Sequence, residues 1–333
     1  KTFPEGPSGH LERTPGSDHP KTFDEEQGAE VPSLGGVAVG RGGLATPGSD
    51  HPKTFDEGQG LTYRQLNERA NRLARVLRAK GVKANAIVGI MLERSIELIT
   101  ALYAVLKAGG AYLPIDPEYP ENRILSMLEN SGAVMLLTAE DAASRKTLPA
   151  VSLEIVYVDE DGVDTAGQPG ENLTPLSQPT DLIYVIFTSG STGIPKGAGV
   201  YQRSFVNLMN WFVTDFALNE SDRNLLMTSF SFDLTQKNLY ASLILGGVLH
   251  LPAVNYFDPG EILRDIEENK VTWVNCTPSM FFQLIEFCKD DELKKLQSLR
   301  YVYLGGEPIS ISMFMKWLES EYCHGEIVNT YGP

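Results

Sequence analysis

Cysteine is scarce in this chain. Cys276, Cys288 and Cys323 are the three among 333 residues. Their wide spacing fits neither a disulfide framework nor a zinc pattern, and leaves buried or free thiols in a reducing compartment. The five histidines (His10, His19, His51, His250 and His324) fall into no metal-ligand spacing. Cations are in deficit: 28 Lys and Arg stand against 43 Asp and Glu, a formal charge of −15. A protein that grips a nucleic-acid backbone needs a basic face, so that class is disfavoured. The balance suits a soluble enzyme that concentrates its few cations where an anionic substrate sits. No apolar run reaches the ~18 residues of a membrane span, and no apolar signal-peptide core opens the chain. The expected compartment is the cytoplasm. Hydrophobic residues make up 42% of the chain, enough for a sizeable core in one large domain or two smaller ones.

What is present centres on residues 188–197, TSGSTGIPKG. The preceding run, 182–187, is apolar and rich in β-branched and aromatic side chains, and reads as a buried strand. It gives way to three glycines, four hydroxyls and one lysine. Glycines let a backbone approach a bulky anion, and successive amide N–H groups in such a turn form an anion-binding nest. Hydroxyls add donors, and Lys196 adds a point charge for phosphate oxygens. The candidate phosphate-binding residues are therefore Thr188, Ser189, Gly190, Ser191, Thr192, Gly193 and Lys196. A flexible Gly/Ser connector is the alternative, but connectors do not usually end in Pro-Lys-Gly behind a core strand. Lys196 is not followed by Ser or Thr, so this is not a Walker A loop, and the chemistry need not be ATP hydrolysis.

Residues 1–60 differ in character: rich in Gly, Pro, Asp, Glu and Ser, poor in large apolar side chains. Residues 14–28 and 46–60 are near-identical copies, differing only at Glu26 against Gly58. Two copies are too few for a stacked repeat, and the composition cannot offset the entropy of ordering. This leader is expected to be disordered or poorly packed, ahead of a folded region at 61–333.

From Leu61 on, helices and strands alternate. Thr62 and Gln65 make a capping box, followed by apolar residues at helical spacing to Gly81. Strands are expected at 86–92, 134–138, 154–158, 182–187, 225–228, 271–275 and 299–304. Helices are expected at 97–107, 123–130, 204–213, 278–287 and 313–318. The fold class this implies is α/β, with largely parallel sheets and helices on both faces, and ligands beyond the carboxyl ends of strands. Asp233 stands among aromatic and apolar neighbours at a strand-to-helix turn. Spacing alone favours a helix N-cap over a substrate-binding carboxylate. Tyr331, before a Gly-Pro turn, reads on its own as a core aromatic.

TSGSTGIPKG resembles the phosphate loop of adenylate-forming enzymes. LTYRQLNERANRLA and LKAGGAYLPIDPEYP resemble the opening motifs of nonribosomal peptide synthetase adenylation domains. The resemblance runs from about Leu61 to Pro333 and implies the N-terminal part of the adenylate-forming fold, incomplete as an adenylation domain. It implies that an amino-acid carboxylate attacks the α-phosphate of ATP, giving aminoacyl-AMP. It implies that Asp233, in SFSFDLTQKN, binds the α-ammonium, which speaks against a fatty-acyl or aryl-acid ligase. It places Gly305, Gly306, Glu307, Asn329, Thr330 and Tyr331 around the adenine. It lines the amino-acid side chain with Leu234, Lys237, Asn275, Tyr303, Gly305 and Thr330. Lys237 and Asn275 point to an acidic or polar side chain, unless Lys237 snorkels out to solvent. ATP and Mg2+ are the implied cofactors. The family's Mg2+-binding Glu and catalytic Lys lie beyond Pro333, so no metal ligand and no catalytic residue is assigned here. The implied partners are a small C-terminal subdomain and a peptidyl carrier bearing phosphopantetheine, with no nucleic acid and no membrane. A catalytically silent fragment that binds nucleotide weakly is the alternative.

Overall fold

The computed structural model describes residues 54–56, 59–139, 153–158, 163, 165–188, 195–252 and 254–330. Strands β1 (Thr54–Asp56) and β2 (Gln59–Leu61) pair antiparallel, Thr54 opposite Leu61. The last residues of the second repeat copy thus enter a hairpin that straddles the boundary expected at residue 61. The first copy lies outside the described residues.

Helix α1 (Tyr63–Ala79) starts where the capping box predicts it. Thr62 Oγ1 accepts from the Gln65 N–H, and Gln65 Oε1 accepts from the Thr62 N–H at 2.8 Å. Two orphan donors of the first turn are thereby satisfied. Strand β3 (Ile87–Met91) leads to α2 (Ile96–Ala108), which begins at Ser95, whose Oγ accepts from Leu98 N–H at 3.1 Å. The helix ends on Gly109 at φ 100°, a left-handed conformation that side chains resist. Leu98, Leu102, Val105 and Leu106 are each at most 1% exposed. Burial of each such side chain is worth about 1.5–3 kcal/mol against the entropy of ordering.

Strands β4 (Ala111–Pro114), β5 (Met135–Thr138), β6 (Glu154–Tyr157), β7 (Leu182–Thr188) and β8 (Lys196–Tyr201) complete a six-stranded sheet. Its order is β6-β5-β3-β4-β7-β8. Every neighbour pair is parallel except β7 and β8, which are antiparallel. Helix α3 (Glu121–Ser131) lies between β4 and β5 in the chain. A second sheet holds β9 (Arg223–Leu225), β10 (Val248–His250), β11 (Trp273–Cys276), β12 (Tyr301–Leu304) and β13 (Glu326–Asn329). Its order is β10-β9-β11-β12-β13, and it is parallel throughout. Helices α4 (Gln202–Asp215), α5 (Gln236–Leu245), α6 (Pro259–Asn269) and α7 (Pro278–Phe287) alternate with these strands.

The α/β expectation therefore holds, with local corrections, and β10 and α6 are elements that the sequence reading does not give. Sequence reading missed β8, because Gly197, Ala198 and Gly199 have poor strand propensity. A Cβ on Gly197 would lie 3.1 Å from the Phe187 ring, and one on Gly199 would lie 2.9 Å from Leu182. The strand expected at 225–228 is displaced toward the N-terminus, at Arg223–Leu225. The helix expected at 313–318 opens as a 3-10 turn at Ile311–Phe314, with α8 confined to Met315–Leu318.

Among the buried residues charged by type is a lysine in the core between the first two helices. Lys107, 4% exposed on α2, donates from Nζ to Asn67 Oδ1 on α1 at 2.8 Å. Burial disfavours its charged form and brings its pKa from the ordinary 10.5 to about 8. The unfolded chain then binds this proton more tightly between the two values. Its contribution to stability rises as pH climbs from about 8 toward 10.5. Urea unfolding of wild type and Lys107→Met at stepped pH should show the wild type gaining on the variant across that window and level below it.

Candidate functional site

The register of the second sheet brings the predicted residues to one edge. Asn275 on β11 pairs with Tyr303 on β12, which pairs with Val328 on β13. Side chains two residues apart on a strand share a face, so Tyr303 and Gly305 lie on the face that carries Asn275, and Thr330 follows Val328 on it. A Cβ on Gly305 would stand 2.9 Å from Thr330 Oγ1 and 3.0 Å from Leu234 Cδ1. Leu234 and Thr330 therefore both lie against Gly305. Thr330 is fixed there, its N–H and its hydroxyl both donating to Leu304 O at 2.8 and 3.0 Å. Asn275 Nδ2 donates to Leu234 O at 2.6 Å and to Asn238 Oδ1 at 2.9 Å. Lys237 on α5 lies with Nζ 5.8 Å from the Phe212 ring, itself 4.8 Å from the Tyr303 ring.

This wall is polar and buried. Asn275 and Tyr303 are fully buried, and Asn275 Oδ1 and the Tyr303 hydroxyl have no hydrogen-bond partner among the described residues. Lys237 does not reach out to solvent: it is 8% exposed. Burial lowers its pKa, and the Asp233 carboxylate partly raises it again. Its ammonium has no hydrogen-bond acceptor among the described residues. Unpaired polar groups in such a place cost about 1–3 kcal/mol each.

Asp233 opens a 3-10 turn, Asp233–Thr235, just ahead of α5. The N-cap position of that turn is Phe232, and that of α5 is Thr235, so the cap favoured by spacing does not form. Asp233 Oδ1 accepts from the Leu234 N–H at 2.7 Å. The carboxylate is exposed rather than enclosed, with Lys237 on its inner side. Its charge also reaches Tyr184 on β7, where it adds to burial in raising that hydroxyl's pKa to about 12.

Sequence reading missed the residues that hold this turn. Gln236, fully buried, donates from Nε2 to Phe230 O at 2.8 Å and to Phe232 O at 3.0 Å. Its Oε1 accepts from the Tyr112 hydroxyl on β4 at 2.5 Å. Thr235 Oγ1 donates to Ser229 O at 2.7 Å, and Ser229 Oγ donates to Asp116 Oδ2 at 2.8 Å. Arg94, beyond β3, donates to Leu226 O and Met227 O at 3.2 and 2.8 Å. Tyr112 and Asp116 stand in LKAGGAYLPID, a stretch whose resemblance to an adenylation-domain motif gives neither of them a role.

The glycine-rich segment spans the β7–β8 connection. Thr188 and Lys196 face each other as the last and first residues of the paired strands, and both are exposed. Ser189, Gly190, Ser191, Thr192 and Gly193 lie outside the described residues, as does Tyr331. Gly306 turns the chain after β12 at φ 80°. The Glu307 carboxylate is already engaged at the start of α7, accepting from Ser279 Oγ at 2.9 Å and Ser279 N–H at 3.2 Å. Asn329 ends β13 exposed. Among the described residues no group of three or more His, Cys, Asp and Glu could hold a metal ion, and no helix is long and apolar enough to cross a membrane.

Two sheets with polar residues gathered at strand carboxyl ends, and an antiparallel β7–β8 pair on one edge, define an α/β domain of the class in which ligands gather at those ends. The chain belongs to the AMP-binding enzyme family, whose match covers residues 44–333. It is similar to nonribosomal peptide synthetases. Tyrocidine synthase 3 of Brevibacillus parabrevis is 41% identical over 275 residues, 82% of this chain and 4% of the synthase. Surfactin synthase subunit 2 of Bacillus subtilis (strain 168) is 37% identical over 277 residues, again 82% of this chain and 8% of that subunit. Among solved structures, the nonribosomal peptide synthetase FmoA3 with α-methyl-L-serine-AMP bound superposes with a TM-score of 0.77 at 28% identity. That likeness covers 85% of this chain and 31% of FmoA3. The chain thus spans a small part of the curated relatives it matches, between 4% and 10% for the first of them.

The Asn275 network sets the wall's geometry. Asn275→Leu leaves Leu234 O and Asn238 Oδ1 without their donor, and should cost about 1–3 kcal/mol by urea unfolding. Unchanged stability would mean that those carbonyls find water instead.

Proposed function

We propose that this chain binds an amino acid and ATP for aminoacyl-adenylate formation in nonribosomal peptide synthesis. The observation that carries the proposal is an exposed carboxylate, Asp233, whose charge acts on buried Lys237 one helical turn away, beside Asn275, Tyr303, Gly305 and Thr330. In this reading Asp233 receives the α-ammonium. Leu234, Gly305 and Thr330 bound the side chain by shape, and Lys237, Asn275 Oδ1 and the Tyr303 hydroxyl address its polar end. A buried ammonium gains most from a ligand that supplies it with an acceptor. The preferred side chain is therefore acidic or polar, glutamate-like before leucine-like.

Thr188, Ser189, Gly190, Ser191, Thr192, Gly193 and Lys196 would hold the phosphates. Gly305, Gly306, Asn329, Thr330 and Tyr331 would surround the adenine, with the tyrosine ring as a stacking platform. Glu307 is retained as an orienting group for that turn, through its bonds to Ser279. A carboxylate oxygen then forms a bond to the α-phosphorus while the bond to the β-phosphate oxygen breaks, releasing pyrophosphate. Alignment of carboxylate and phosphorus, and neutralisation of charge by Lys196, are what these residues contribute. The family uses ATP with Mg2+. No group of three or more His, Cys, Asp and Glu among the described residues could hold the ion. Transfer to a carrier thiol on phosphopantetheine, and the small subdomain and carrier protein it requires, complete the proposal for the longer synthetase. The catalytic lysine of that machinery is not assigned to this chain. Residues 1–60 are proposed as a leader ahead of the large subdomain, with the hairpin at its end.

Two calorimetric titrations test this on the full chain. With ATP·Mg and a non-hydrolysable aminoacyl-adenylate analogue, Lys196→Ala should weaken ATP and Asp233→Ala the aminoacyl analogue, each by about 1.5–3 kcal/mol. Equal binding in wild type and both variants would overturn the assignments. With analogues differing only in side chain, glutamyl and glutaminyl should bind tighter than leucyl, and Lys237→Leu should reverse the order. Preference for leucyl in the wild type would overturn the acidic or polar reading.

A further inference from the structure

We infer that Tyr112 and Gln236 are positioning residues for α-ammonium recognition, holding the Asp233 turn to the first sheet. The inference rests on the amino-acid reading of Asp233 and extends it to residues that touch no substrate. The Gln236 amide has four hydrogen-bonding positions. Both Nε2 hydrogens are used, one on Phe230 O and one on Phe232 O. The amide is therefore fixed with Oε1 toward Tyr112, whose hydroxyl must donate, at 2.5 Å. Phe230 and Phe232 flank Ser231 and lead directly into Asp233. Gln236 thus closes the turn from its inner side, and Tyr112 locks Gln236. Both side chains are fully buried, so no water substitutes cheaply for a lost partner.

A second tie holds the other end of the turn. Ser229 Oγ donates to Asp116 Oδ2 at 2.8 Å, and Ser229 O accepts from Thr235 Oγ1 at 2.7 Å. Tyr112 and Asp116 sit on and just past β4. The turn that presents Asp233 is therefore held at both ends by one strand of the other sheet. An exposed carboxylate has no packing of its own to fix it; its direction is that of the backbone beneath it. Loosening the ties should blur the placement of Asp233 while leaving the shape-selecting residues on β11 and β12 in register.

The test uses the full chain and a matched pair of probes: a non-hydrolysable aminoacyl-adenylate analogue and its counterpart lacking the α-amine. The ratio of their dissociation constants reads the ammonium contact alone. In wild type the amino probe should bind tighter. In Tyr112→Phe, and separately in Ser229→Ala, the ratio should fall by about fivefold to tenfold, as hydrogen-bond losses of this size predict. Affinity for the des-amino probe should change little. Leu102→Ala, a distant core change, should leave the ratio at its wild-type value even where it lowers the Tm. Wild-type discrimination kept intact in both Tyr112→Phe and Ser229→Ala would overturn the inference. No discrimination in the wild type itself would overturn the reading of Asp233, and the inference with it.

Discussion

A buried polar group must find a partner, and most of the architecture around Asp233 follows from that constraint. Gln236 sits where no water reaches, so its amide is satisfied by the backbone of the preceding turn and by a tyrosine from another sheet. The same constraint places Thr235 on Ser229 O and Arg94 on the carbonyls of Leu226 and Met227. The two sheets are thus joined at their carboxyl ends by directional bonds as well as by apolar packing. Aromatic rings continue the join, from Tyr112 through Tyr184 and Phe205 to Tyr240.

Against that satisfied frame the unsatisfied groups stand out. Asn275 Oδ1 and the Tyr303 hydroxyl are buried without a hydrogen-bond partner among the described residues, and the buried Lys237 ammonium has the Phe212 ring and the charge of Asp233 near it. Stability alone would replace them with apolar side chains of similar volume. Their retention beside an exposed carboxylate is coherent if a ligand with its own charges completes the arrangement.

Much of the fold was legible in the sequence because its signals are local. The Thr62–Gln65 capping box and the Gly109 stop lie within a few residues of what they determine. Strand β8 was not legible, since its glycines are chosen for contact with Phe187 and Leu182 on a neighbouring strand rather than for extended backbone. The pocket residues were named by resemblance, and spacing alone had preferred a helix cap for Asp233. The direction of the Lys237 side chain depends on Phe212 and Asp233 together, which no periodicity encodes. The Tyr112–Gln236 bond joins residues 124 apart and left no mark in either segment taken singly.

The antiparallel pairing of β7 with β8 has a mechanical side. Every other pair in that sheet is parallel, so its strands are linked by long crossovers, whereas here the chain leaves at Thr188 and returns directly opposite at Lys196. A hairpin of this kind behaves as a pair of tweezers hinged in the sheet: its two jaws are bonded to each other down to the Leu182–Tyr201 end. Pulling the jaws apart at Thr188 and Lys196 loads those rungs one at a time, from that end inward. A load at this edge is therefore met first by the bonds between two neighbouring strands, ahead of the register of the parallel pairs.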